Sequence, residues 1–175
     1  DTGNSVWGND VYIMGNLIYN IHPSKNNTSY NPSDSWSEGA AIALWHGSLD
    51  RYIVDNTMYD VHDGVNAIFN GTVHLSGNII SQKDDHSDNY FFDISHPGRN
   101  NLVLMNDNIF FDDVSESYFI WRDRSLRMNT IDEVKLYANE CEGCWFVDPL
   151  FLNASSDPVM RDFDLSSDSP AVIGN

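Results

Sequence analysis

Basic residues are scarce in this chain of 175 residues: 9 Lys and Arg stand against 26 Asp and Glu, a formal net charge of -17. Such a balance repels nucleic acid and anionic membrane surfaces at long range and favours bound cations or a salty medium. Long apolar runs are also missing, and no segment approaches the roughly 20 residues that span a bilayer. The first residues lack the basic and apolar regions of a signal peptide, so the chain reads as soluble and already trimmed. Cysteine is limited to Cys141 and Cys144. Two thiols cannot fill the four positions of a structural zinc site, which leaves a local disulfide or two free thiols. The composition is nevertheless 41% hydrophobic and 13% aromatic, enough for a packed core in a single domain spanning 1–175.

What the chain does have is a repeat. Val11-Tyr-Ile-Met-Gly-Asn16, Arg51-Tyr-Ile-Val-Asp-Asn56, Val73-His-Leu-Ser-Gly-Asn78 and Val103-Leu-Met-Asn-Asp-Asn108 fall in register. Ile13, Ile53, Leu75 and Met105 stand three residues before each Asn, and Ile18, Met58, Ile80 and Phe110 two after it. A second series aligns Leu44, Ile68, Ile94 and Ile120 at steps of 24 and 26 residues, the length of one solenoid coil. Each segment alternates apolar and polar over four to six residues, which predicts short strands; only 130–140 reads as helical. A strand of one coil can satisfy its backbone only on the same strand of the next, and Asn at the same bend can pass amide hydrogen bonds up the stack. The expected architecture is all-β, a parallel β-helix solenoid of about six coils. Segments 23–38 and 123–145 break the register and are expected to project as loops.

The chain continues with Asp148-Pro149-Leu150-Phe151, then Asp162-Phe163-Asp164-Leu165, then Ser169-Pro170-Ala171. Ladder and ending together resemble the secreted right-handed parallel β-helix proteins, a pectate-lyase-like superfamily whose last coil reads in this way. The resemblance implies a secreted protein with a polysaccharide partner, and the family contains lyases, glycoside hydrolases, epimerases and pure glycan binders. Shared fold alone does not choose among them.

Solenoid columns supply the candidate residues. Trp45, Phe69 and Trp121 follow the second series, and beside them run His46, Asn70, His96 and Arg122. Aromatic faces suit sugar rings, while amide, imidazole and guanidinium suit hydroxyls and carboxylates. The alternative is that the rings stack on one another for sheet stability. Tyr12 and Tyr52 lie ahead of the Asn column and Tyr19 and Tyr59 after it, a second candidate glycan face. Asp60, Asp63, Asp84 and Asp85 could share a calcium ion on adjacent coils, or simply be solvated surface charge. The reading is therefore a polysaccharide-binding module using Trp45, Phe69, Asn70, Trp121, Tyr52 and Tyr59, with calcium on the carboxylates. Its alternative is a polysaccharide lyase in which Arg122 neutralises a uronate and His46 or His96 takes the proton. A purely structural solenoid that assembles end to end is the third reading. The ladder already runs by Val11, so the first coil is expected to be covered by an upstream domain or a second copy, making the chain the carboxyl-terminal part of a longer protein or a homo-oligomer.

Overall fold

The computed structural model describes residues 10–22, 39–45, 49–68, 71–82, 90–94, 101–113, 118–121, 126–136, 141–155 and 161–173. Three five-stranded sheets dominate it. Sheet A contains β1 (Val11–Met14), β4 (Arg51–Val54), β7 (Gly71–Ser76), β10 (Asn101–Asn106) and β14 (Cys141–Glu142). Sheet B contains β2 (Leu17–Ile21), β5 (Thr57–Val61), β8 (Ile79–Gln82), β11 (Ile109–Asp112) and β15 (Trp145–Phe146). Sheet C contains β3 (Ala40–Trp45), β6 (Asp63–Ile68), β9 (Tyr90–Ile94), β12 (Tyr118–Trp121) and β13 (Leu126–Met128). The chain visits A, B and C in turn, and every pairing in A and B is parallel. An all-β chain wound in this order is compatible with a parallel β-helix.

Alternation explains the core. Ile53, Leu75 and Met105 occupy one column of sheet A, and Met58, Ile80 and Phe110 one column of sheet B, all at most 1% exposed. Phe91, Phe110 and Phe119 converge between the sheets with ring centroids 4.9–5.4 Å apart, in the tilted and edge-on geometries that aromatic quadrupoles favour.

The bend between sheets A and B is built by the asparagines. The side-chain amides of Asn16, Asn56 and Asn78 each donate to the carbonyl oxygen of the next Asn at 3.0 Å, and their backbone N–H groups donate to the same oxygens. Asn56, Asn78 and Asn108 also donate to Ile13, Ile53 and Leu75 of the preceding coil. The residue ahead of each rung adopts the left-handed backbone: Gly15, Asp55, Gly77, Asp107 and Gly143, with φ between 54° and 66°. A Cβ on Gly77 would collide with the Asp55 carboxylate, and one on Gly143 with that of Asp107. Asp and Gly therefore alternate up the bend.

The sheet C register differs from the one expected. Leu44 pairs with Ala67, not Ile68, which faces Trp45; Ile120 pairs with Asp93, and Trp121 with Ile94. The inward column is Ile42, Val65, Phe92 and Phe119, all at most 5% exposed. Phe146 belongs to sheet B opposite Phe110, because Cys144 takes the place of the asparagine that marks the earlier bends.

Segment 123–145 is only partly a projection. Its β13 turns back antiparallel on β12, α1 (Ile131–Lys135) is closed by a Thr130–Glu133 capping box, and residues 141–145 rejoin sheets A and B. Segment 23–38 lies outside the described residues. The ending is an antiparallel pair of β16 (Phe151–Asn153) and β17 (Asp162–Leu165), followed by α2 (Pro170–Ile173), rather than a further parallel coil.

Candidate functional site

The three sheets differ in what their outer faces offer. On sheet A, Tyr12, Tyr52 and His74 form a column of parallel rings, with centroids 4.6 and 4.2 Å apart and planes within 9°. Rings at this spacing occupy one another's faces, leaving edges and the end face of Tyr12, which is 59% exposed. Tyr52 therefore offers no open face to a sugar ring. On sheet B, the β16–β17 pair covers the tyrosine column. Phe163 packs on Tyr19 and Tyr59, Phe151 meets Tyr59 edge-on, and Arg161 sits 4.0 Å above the Tyr19 ring. The Tyr59 hydroxyl donates to the Ala154 carbonyl at 2.8 Å, and the residue is buried, not an open contact.

Sheet C is different. Asn66 stands between the core residues Val65 and Ala67, so alternation turns it to the outer side, and its partner on the next coil is Asp93. Both are buried. At the amino end of the same strands, Asp63 pairs with Tyr90, and Asp63 Oδ1 lies 3.0 Å from His62 Nδ1. The Asn66 amide approaches the Tyr90 hydroxyl at 3.5 Å. Gln82 ties the corner together, its amide donating to the carbonyls of His62 and Tyr90 at 2.7 and 2.8 Å. Asn66 Oδ1 and Gln82 Oε1 are among the buried side-chain atoms that find no hydrogen-bond partner within the described residues.

Desolvation governs the chemistry of this cluster. Burial pushes the Asp63 carboxyl up from its ordinary value, while its hydrogen bonds with His62 and Tyr90 pull it back. Burial, followed by the charges of Asp63 and Asp93, pushes the Tyr90 phenol up as well, so it remains a neutral donor. A carboxyl, an imidazole and a phenol in contact away from water form a group able to hold and pass a proton.

The strands of sheet C also carry the expected aromatic residues, though in different columns. Trp45 pairs with Ile68, two residues past Asn66, whereas Trp121 pairs with Ile94, one residue past Asp93. His46, Phe69, Asn70, His96 and Arg122 lie outside the described residues, as do Asp84 and Asp85. The two described members of the acidic set have separate partners: Asp60 Oδ1 is 3.4 Å from His22 Nε2, and Asp63 contacts His62 and Tyr90. No group of three or more His, Cys, Asp or Glu that could hold a metal occurs among the described residues. Asn66, Gln82, Tyr90 and Asp93 were not singled out by sequence. For Asn66 and Asp93 the signal is a polar residue directly after a core residue, Val65 or Phe92, repeated on adjacent coils.

Comparison with known proteins gives no match among family models, curated sequences or solved structures.

Proposed function

We propose that the protein is a right-handed parallel β-helix that binds an extended extracellular polysaccharide along sheet C. The observation that carries this reading is the common end of that sheet. The strands β3 and β6 finish on the paired residues Trp45 and Ile68, and β9 and β12 on the paired residues Ile94 and Trp121. His46, Phe69, Asn70, His96 and Arg122 follow within two residues of those ends in the sequence. A linear polymer suits a site repeated at each coil, about 4.8 Å apart, and Trp, Asn, His and Arg supply apolar and polar contacts to sugars. The outer faces of sheets A and B are occupied by self-stacked rings and by the β16–β17 pair.

Calorimetric titration of the chain with pectate, alginate and neutral polysaccharides tests the reading. His46→Ala and Arg122→Ala are each expected to weaken binding at least about tenfold with little change in melting temperature. Unchanged affinity, or a matching loss of stability, overturns it. Repeating the titration with calcium and with a chelator tests the cation: Asp60 and Asp63 have separate histidine partners, so a calcium-dependent site would need Asp84 and Asp85 as well.

A second reading, uronate β-elimination, is favoured by one observation, the contact of Asp63 with His62 and Tyr90 at the start of β6 and β9. Unsaturated products detected by ultraviolet absorbance, and lost in Asp63→Asn, would establish it over binding alone.

A further inference from the structure

Cys141 and Cys144 are both buried, both free thiols, and belong to two different columns of the solenoid. Cys141 continues the inward column of sheet A opposite Met105. Cys144 stands where the next ladder asparagine would be, and its Sγ accepts from the Asn108 amide at 3.9 Å. The left-handed turn at Gly143 brings the two side chains together, and the thiols hydrogen-bond to one another. A surface cavity of about 380 Å³ lies beside Cys144, walled by Thr130, Asp132, Lys135, Trp145 and Phe146.

We propose that Cys141 and Cys144 are a redox-active dithiol–disulfide couple, with Cys144 the nucleophile that a small-molecule disulfide meets first. Three observations support it. Both cysteines belong to the core cluster, but Cys144 is among the residues that line the cavity and Cys141 is not, so an incoming disulfide approaches from the Cys144 side. The hydrogen bond from Cys141 draws the Cys144 thiol down to about 7 against the desolvation that raises it, and the backbone and side chain of Asn108 add to the pull. The same bond, then burial, pushes Cys141 up, which marks it as the resolving thiol. Finally, the ring closed by a Cys-Glu-Gly-Cys bridge is small and removes little entropy from the unfolded chain, so the bond would be exchangeable rather than a staple.

In the first step the Cys144 thiolate attacks one sulfur of a disulfide such as oxidised glutathione. A Cys144–glutathione bond forms, the original sulfur–sulfur bond breaks, and one glutathione thiolate leaves. Cys141 then gives its proton to solvent and attacks Cys144 Sγ, which expels the second glutathione. The two cysteines lose two electrons and the external disulfide gains two.

The test equilibrates the full chain over a series of reduced-to-oxidised glutathione ratios, quenches with acid, alkylates under denaturing conditions and reads the intact mass. The expected result is loss of both alkyl groups together across the series, with full recovery on reduction. At short times peptide mapping should place the first glutathione on Cys144, and Cys141→Ser should accumulate that adduct. Two thiols that still alkylate under the most oxidising condition overturn the proposal. So does a bridge that persists at every ratio, or a first adduct on Cys141. The wild-type mass series and mapping decide the matter even where a variant fails to fold.

Discussion

At the scale of single residues, the asparagine ladder links successive coils through a chain of side-chain hydrogen bonds. Asn78 is fully buried and satisfies the backbone N–H and side-chain amide of Asn56 while donating to Asn108, Ile53 and Ser76. Asn78→Ala would leave several of these groups buried without a partner, and each such orphan costs roughly 1–3 kcal/mol. The expected loss is about 2–4 kcal/mol in urea unfolding, since some groups will recruit water. Asn16 is exposed, so Asn16→Ala should cost under about 1 kcal/mol. Equal losses at the two positions would mean that the ladder acts through the turn backbone rather than through its amide chain. This feature was legible in the sequence because the amide must recur at one fixed place in every coil. The buried cluster of sheet C was not: Asp63 reads as a surface acid, and only the pairing of Asn66 with Asp93 sets two buried polar residues side by side on adjacent coils.

At the scale of elements, legibility followed the markers. Sheets A and B flank the ladder and their columns were correct. Sheet C has no such marker, and the spacing of the series alone aligns Ile68 with Leu44 in place of Ala67. Yet Ala67 is fully buried, and the Phe91 and Phe92 rings supply volume on the next coil. The ending departs from the expected last coil for a related reason. Its short apolar pattern fits a last coil equally well, whereas Phe151 and Phe163 are used to cap Tyr19 and Tyr59. Phe163→Ala should therefore loosen one element selectively. Its expected cost is about 1–3 kcal/mol, with hydrogen-exchange protection lost at Ser166, whose N–H donates to Leu150, and kept at Ile79 and Ile109 in sheet B. Uniform loss across the sheets would show that the pair is part of the main cooperative unit.

At the scale of the whole molecule, a net charge of -17 is spread over a stack whose coils are only one strand spacing apart. Self-repulsion of that size weakens the compact state and is relieved by salt. Raising potassium chloride from roughly 0.05 to 0.5 M is expected to stabilise the fold by about 1 kcal/mol or more, equivalent to roughly 2–4 °C in melting temperature at this chain length. A melting temperature that is flat or falls with salt would mean that local pairs such as His22 with Asp60 outweigh the general repulsion.

The alternation of glycine and aspartate at the bend has a consequence for how such a chain can lengthen. Gly15, Asp55, Gly77, Asp107 and Gly143 form a two-beat pattern in which each carboxylate of Asp55 and Asp107 lies over a following residue that has no side chain. Removing or duplicating a single coil would bring two aspartates into the same space or leave two glycines facing one another. The molecule has a parity, and tandem duplication or deletion can preserve this bend only when it moves an even number of coils.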